Sequence, residues 1–406
     1  MELRELRGME LAATRTIRKQ DGWWKVPSQA GTGVYRVQLA KKFATCECPD
    51  FSKRKTACKH IFAATFVSRR ENPDGSVTVT QAVALAQTET TYPQEWAAYN
   101  EAQTNEKDRF QVLLSDLCNG LPLGPQVKKN GRPSLPLSDM IFSATFKVYS
   151  TVSARRFMSD LREAQGKGFI SRTPHYNSIF NYLENSELTP VLKTLITQSS
   201  LPLQSVETDF AADSSGFMTS RFTRWFDHKY GVEKTKADWV KCHLMCGTKT
   251  NIITAVEIHG QHAADTKMLP ALASATAMNF TMREVSADKG YASKSNFETI
   301  ARFGAVPFIS FPDSHKGQGG GKWAEMYHYF NFRKAEFLQH YHKRSNVEST
   351  FSMMKRKFGD SIRSKTDTAM VNEVLCKVLC HNLVVLIHEM YELGIDPVFW
   401  NKVSVN

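Results

Sequence analysis

Residues 22–28 (Gly-Trp-Trp-Lys-Val-Pro-Ser) and 33–39 (Gly-Val-Tyr-Arg-Val-Gln-Leu) alternate apolar and polar positions. That period of two predicts a pair of strands, with Gln29-Ala30-Gly31-Thr32 as their turn. A cysteine-rich stretch and a predicted helix over residues 59–67 follow. Glu71-Asn72-Pro73-Asp74-Gly75 is turn chemistry that closes a small β-rich unit, placed at residues 1–80. Residues 84–130 read as polar and partly helical, ending in the basic linker Val127-Lys128-Lys129-Asn130-Gly131-Arg132-Pro133. From residue 137 to about 196 apolar positions such as Met140, Phe142, Phe146 and Val148-Tyr149 recur at helical spacing. Breaks at Gly166-Lys167-Gly168 and Arg172-Thr173-Pro174 divide this stretch into two to four short helices. They carry Arg155, Arg156, Arg162, Lys167 and Arg172. Residues 81–200 are thus a linker and a helical region, with DNA binding and a plain solvated basic face both open.

Beyond residue 201 the rhythm changes to strands alternating with helices. A strand is predicted at 205–211, and a hairpin at 239–245 and 251–258 around Gly247-Thr248-Lys249-Thr250. A helix over 266–278, a strand at 283–288, a helix over 294–302, a strand at 306–311 and a long helix over 341–358 complete the series. This order predicts one mixed α/β domain spanning residues 201–395. The most apolar run, 371–390, is interrupted by Glu373, Lys377, His381, Asn382, His388 and Glu389. It therefore predicts a buried helix and no membrane contact. The glycine-rich run at 316–322 lacks the Lys-Ser/Thr ending of a phosphate-binding loop.

Composition adds little beyond charge. Of 406 residues, 42% are hydrophobic and 23% charged, an ordinary globular mixture, but the formal net charge is +12. Such a surplus favours a polyanionic partner, because Lys and Arg on phosphates release condensed counterions. The opening Met-Glu-Leu-Arg-Glu-Leu-Arg has no apolar signal region, so a cytosolic, reducing location is expected. The eight cysteines are then thiols or metal ligands. Cys242 with Cys246, and Cys376 with Cys380, read as core packing. Cys46-Glu47-Cys48 followed by Cys58-Lys59-His60 is different: two close pairs of soft ligands are what a closed, tetrahedral zinc site requires. Such a site contributes on the order of 10 kcal/mol to folding a small module. The spacing Cys-x-Cys-x9-Cys-x-His after two strands resembles the SWIM zinc finger, a family that binds DNA or protein. Lys53, Arg54 and Lys55 between the pairs would suit phosphate.

Candidate carboxylates lie further on: Asp213 at the end of the first strand of the α/β domain, Asp288 at the end of a later strand, and Glu348 on the long helix. Tyr341, Arg344, Glu348 and Lys355 are spaced three, four and seven apart. At 100° per residue they fall within an arc of about 60°. Val347, Phe351, Met354 and Phe358 form an apolar stripe about a quarter turn away. Periodicity alone also allows a simple surface pair between Arg344 and Glu348.

Tyr341-x2-Arg344-x3-Glu348-x6-Lys355 resembles the signature around the catalytic glutamate of bacterial insertion-sequence DDE transposases. Asp213-Ser214-Ser215-Gly216-Phe217 and Ala287-Asp288-Lys289-Gly290-Tyr291 resemble the segments of its first and second aspartates. The spacings are 288 − 213 = 75 and 348 − 288 = 60 positions. Glu207 and Asp209 rival Asp213 for the first carboxylate; the Ser-Ser-Gly-Phe context favours Asp213. The resemblance covers residues 200–390. It implies a ribonuclease-H-like fold in which Asp213, Asp288 and Glu348 hold two Mg2+ or Mn2+ ions, while Tyr341, Arg344 and Lys355 support DNA. It further implies cleavage at transposon ends and strand transfer, a homo-oligomer on double-stranded DNA, and a nucleoid-associated place in a prokaryotic cytoplasm. The zinc finger departs from the usual pattern of that group and leaves open which part recognises the element's ends. A metal-dependent nuclease and a non-catalytic DNA-binding derivative of a transposase use the same residues and remain as alternatives.

Overall fold

The computed structural model describes residues 3–28, 33–39, 44–70, 95–122, 135–219, 239–312 and 320–400, in two units, 1–94 and 95–406. The turns expected at 29–32 and 71–75, the linker at 127–133 and most of the glycine-rich run lie outside the described residues.

The first unit holds α1 (Leu3–Thr14), then β1 (Arg18–Gln20), β2 (Trp23–Pro27), β3 (Val34–Leu39) and β4 (Ala44–Cys46), followed by α2 (Pro49–Arg54) and α3 (Lys59–Arg70). The strands form an antiparallel sheet in chain order. Alternation foresaw β2 and β3; the short β1 and β4 are added by pairing at either edge. α1 was not foreseen, and it packs along α3. Gly8 permits that approach, since a Cβ there would lie 2.5 Å from Phe62 Cβ. The core is small: Leu11, Trp24, Val26, Val37 and Ile61, closed at one end by the buried Cys46, Cys48 and Cys58.

The second unit is mixed α/β. Helices α4 (Trp96–Asn119), α5 (Leu137–Ser150), α6 (Ala154–Gly166), α7 (Tyr176–Leu183) and α8 (Leu188–Ser200) precede the sheet. Its strands are β5 (Asp209–Met218), β6 (Trp239–Gly247), β7 (Ile253–Gly260), β8 (Glu284–Ala287) and β9 (Val306–Ile309), in spatial order β7-β6-β5-β8-β9. β5, β6 and β7 are antiparallel neighbours, whereas β5, β8 and β9 run parallel. Parallel pairing needs crossovers. α9 (Asp265–Ala277) supplies one before β8 and α10 (Lys294–Arg302) another before β9. The chain ends with α11 (Gly321–Phe332), α12 (Lys334–Tyr341), α13 (Ser345–Phe358) and α14 (Asp367–Glu392).

Side chains alternate across the sheet, so it has a core on each face. Ala211, Phe217, Leu244 and Cys246 join α4 to α8, α13 and α14. Phe210, Ala212, Met245 and Val285 join α9 to α12. α4 to α8 thus share one core with the sheet. Cys242, Cys246, Cys376 and Cys380 are all fully buried there, as their spacing suggested.

α14 is long and apolar enough to cross a membrane, yet 89% of its most apolar window is buried inside the fold. Most of the polar residues that interrupt it find partners. Asn382 treats β7 as a strand would: Ile253 N–H donates to Oδ1 at 2.9 Å and Nδ2 donates to Ile253 C=O at 2.7 Å. Lys377 donates to the carbonyls of Gly359 and Ser361, and His381 Nε2 donates to that of Asn251 at 3.0 Å.

Two expectations are corrected. β5 starts four residues later than predicted and continues to Met218, so Asp213 lies within the strand rather than at its end. The run Asp213-Ser214-Ser215-Gly216 has low strand propensity, and pairing with β6 imposes the extended form. The helix predicted over 341–358 is interrupted: α12 ends at Tyr341, and a 3-10 turn, His342–Arg344, leads into α13. That tighter turn carries Lys343 against the sheet, where its Nζ lies 2.7 Å from both Asp209 Oδ2 and Glu284 Oε2.

Burial pushes His381 down to about 4, so it is neutral in the folded state. A folded value below the unfolded one near 6.5 gives stability that is present above pH 6.5 and lost as pH falls toward 4. Between pH 7 and about pH 4.5 this residue should cost α14 about 2.5 kcal/mol of protection. Hydrogen exchange of α14 at the two pH values checks this. His381→Gln, which keeps a neutral donor, should remove most of the difference.

Candidate metal centre and carboxylate site

Four ligands converge in the first unit. Cys46 ends β4, Cys48 caps the N-terminus of α2, Cys58 precedes α3 and His60 lies in its first turn. One ligand atom from each lies within 4.8 Å of all the others, and all four residues are buried. Backbone N–H groups of Cys48 and Phe51 donate to the sulfurs of Cys46 and Cys48 at 3.4 Å, which favours thiolate. The Cys46 thiol hydrogen-bonds to Cys58 and holds it down at about 4, while the same bond and burial push Cys46 up. His60 Nδ1 is 3.9 Å from Cys58 Sγ, and its Nε2 is buried with no partner among the described residues. Three clustered thiols and an orphaned imidazole nitrogen are stable together around a divalent cation, and three S with one N suits zinc.

In the second unit, register decides the positions of the carboxylates. Asp209 pairs with Glu284, Phe210 with Val285, Ala211 with Ser286 and Ala212 with Ala287. Continued by one residue, this parallel register sets Asp213 beside Asp288, on strands about 4.8 Å apart. Both lie on the face covered by α13, whose Val347, Phe351, Met354 and Phe358 enter the core as the apolar stripe predicted. Glu348 stands in the first turn of α13 and is 55% exposed. The three carboxylates act on one another. Burial raises the Asp213 pKa, and the charges of Asp288 and Glu348 raise it further, with the Ser214 N–H and Arg344 opposing.

Arg344 Nη2 donates to Glu348 Oε1 at 2.7 Å, and its guanidinium lies 5.8 Å from the Tyr341 ring. Tyr341 in turn faces Asp288, which contributes to its raised pKa after burial. Tyr341, Arg344, Asp213, Asp288 and Glu348 therefore form one connected group. Lys355 stands apart from it: its Nζ donates to Ser215 Oγ at 2.7 Å, two residues along β5 from Asp213. The two rival acids are committed elsewhere. Glu207 is fully buried and accepts from Thr250 and from the Lys249 N–H. Asp209 is bound by Arg283 and Lys343.

Sequence reasoning missed Asp265 and Lys343. Asp265 Oδ1 accepts from Ser214 Oγ at 2.8 Å and pairs with Lys241 at 2.7 Å. A Cβ on Gly290 would lie 3.6 Å from Asp265 Oδ2 and 4.0 Å from Asp288 Oδ2, so both acids approach this glycine. No periodicity marks Asp265, because it sits at the start of a helix on the opposite face of the sheet. Lys343 falls inside the Tyr-x2-Arg spacing and was hidden by the assumption of an unbroken helix.

Residues 204–383 match the family model of the transposase DDE domain. Residues 35–67 match that of the SWIM zinc finger. No curated protein and no solved structure matches the chain. The DDE segment contains the whole five-stranded sheet, α13 and most of α14, and the SWIM segment contains all four zinc-type ligands.

The purified full chain should carry one equivalent of zinc by elemental analysis. Cys58→Ser should lose it, and exchange protection of β2 and β3 should collapse, because the metal supplies on the order of 10 kcal/mol to so small a core. A metal-free wild type with β2 and β3 still protected would refute the zinc assignment.

Proposed function

We propose that this protein is a DNA transposase that cuts transposon ends and joins them to target DNA, with Asp213, Asp288 and Glu348 as its catalytic metal ligands. The observation that supports the reading is the β5–β8 register, which continued by one residue brings Asp213 and Asp288 together near α13, in a segment that matches the transposase DDE domain model. The strand order, with three antiparallel strands followed by two parallel ones, supports a ribonuclease-H-like fold for this domain.

The donor set fits magnesium or manganese. All three groups are hard oxygen ligands, and their mutual repulsion, seen at Asp213, is what a divalent cation relieves. Such ions, when bound, activate the attacking oxygen and stabilise the leaving one. The chain's own residues position the reactants. β5 and β8 fix the two aspartates. Arg344 holds the Glu348 carboxylate by one guanidinium nitrogen and supplies positive charge beside the site, where a phosphate would lie. Tyr341 closes the Asp288 side, and Lys355 extends the cationic edge along α13. The SWIM finger and the basic residues of α6 and the segment after it, Arg155, Arg156, Arg162, Lys167 and Arg172, would hold DNA, chiefly through phosphates, in a homo-oligomer assembled on the nucleoid.

The test is cleavage and joining of DNA carrying the flanking inverted repeats, with magnesium, by wild type and Glu348→Gln. Wild type should give nicked and joined products. Glu348→Gln should bind the same DNA and be slower in both steps by more than about a hundredfold, since even outer-shell changes at metal sites cost 10–100-fold. Cleavage without joining would identify a nuclease, and equal activity of the two proteins would exclude Glu348 as a ligand.

A further inference from the structure

Away from the carboxylates, α5, α7, the start of α14 and the loop after α13 enclose a cavity of about 290 Å³. Its walls are largely apolar, with Val148, Phe180, Leu183 and Phe358 among them. Its charges are mainly positive: Lys147, Arg363, Lys365 and Lys377. Lys377 is bound to two backbone carbonyls. Lys147 is not so placed. It is only 7% exposed, and among the described residues its Nζ has no hydrogen-bond or ion-pair partner, only the Phe157 ring at 5.9 Å.

Two acids also line the cavity. Glu373 is already satisfied by the N–H groups of Arg363 and Ser364 at 2.8 to 3.1 Å. Glu184 is exposed. Burial and Arg363 lower the Lys147 pKa to about 8, with the charge of Glu373 opposing, which still leaves it charged at neutral pH. The Lys147 side chain is almost buried and lines the cavity, so an anion there would supply the partner its ammonium lacks.

Position indicates which anion. Phe358 is ten residues along α13 from Glu348, a rise of about 15 Å. Lys355 of α13 and the buried Lys377 of the cavity wall each lie 5.3 Å from the Phe217 ring, so positive charge lies on the cavity side of α13. At 3.4 Å per step along one DNA strand, the distance is about four base pairs.

We propose that this cavity is a phosphate-binding site, with Lys147 and Arg363 as its ligands, which takes a backbone phosphate of the bound DNA about four base pairs from the carboxylate site. The phosphate chemistry stands by itself; its DNA source rests on the reading given under Proposed function.

The test is lysine acylation of the full-length protein without added magnesium, read residue by residue by mass spectrometry. Inorganic phosphate and a short DNA duplex are the two probes. Both should slow acylation of Lys147 several-fold. Lys147→Met and Arg363→Gln should each lower the slope of log affinity for DNA against log salt by about 1. Arg363 is exposed, so its variant keeps the test decisive should Lys147→Met fail to fold. Protection by phosphate with wild-type salt slopes would keep the site and assign it to a free phosphate-bearing ligand. No protection by either probe, with unchanged slopes, would overturn it. Because no cleavage is involved, a failure of the carboxylates to do chemistry would leave this result standing.

Discussion

The parallel pairing of β5 with β8 is the constraint on which the second unit depends. It is only four residues long, yet it fixes two functions at once. At one end it aligns Asp209 with Glu284, and at the other it brings Asp213 beside Asp288. Parallel strands cannot be joined by a tight turn, so the chain between them must make the β6–β7 hairpin and α9 before returning. The 75 positions separating the two aspartates are therefore the length of this excursion. A one-residue slip of β8 against β5 would turn Asp288 to the other face of the sheet, away from Asp213 and α13. Phe210, Ala212 and Val285, buried on that other face, resist such a slip.

The third carboxylate is held in another way. Glu348 is on a helix edge, more than half exposed, and its ion-pair partner among the described residues is Arg344, in the 3-10 turn that precedes the helix. What brings that helix end to the sheet is the 3-10 turn and Lys343, whose ammonium bridges Asp209 and Glu284 at the far end of the same strand pair. With both acids almost buried, these contacts are worth more than surface pairs, although desolvation offsets part of the gain. So Asp209, one of the two acids that rivalled Asp213 in sequence, has a structural use: with Glu284 it anchors the turn from which Tyr341, Arg344 and Glu348 are presented.

The order of strands and helices after residue 201 was readable because each element is short, apolar and bounded by polar turns. α10 was placed to the residue, and the β6–β7 hairpin and β8 nearly so. The metal ligands of the first unit were readable because cysteine spacing survives without knowledge of the fold. Three features were not. The second half of β5 is polar, and only pairing with β6 makes it a strand. The break before α13 is invisible to an angular calculation that assumes a constant 100° per residue. α1 belongs to the zinc unit through Gly8 and Phe62, a contact that no local pattern announces.

The carboxylate group has a physical asymmetry that bears on how such a site would work. Asp265 is neutralised by Lys241 and holds Ser214, the neighbour of Asp213, from the opposite face of the sheet. The backbone around Asp213 is thus braced from both sides, by α13 and by the start of α9. Asp288 begins a 3-10 turn whose Tyr291 is fully buried, and its backbone is equally fixed. Two of the three acids are in this way set by rigid elements, and their repulsion is accepted in the folded state. Glu348, exposed and paired to a mobile type of side chain, can adjust. In the proposed transposase, two fixed acids and one adaptable one would let the site keep its geometry while the number of ions and the DNA phosphate between them changed.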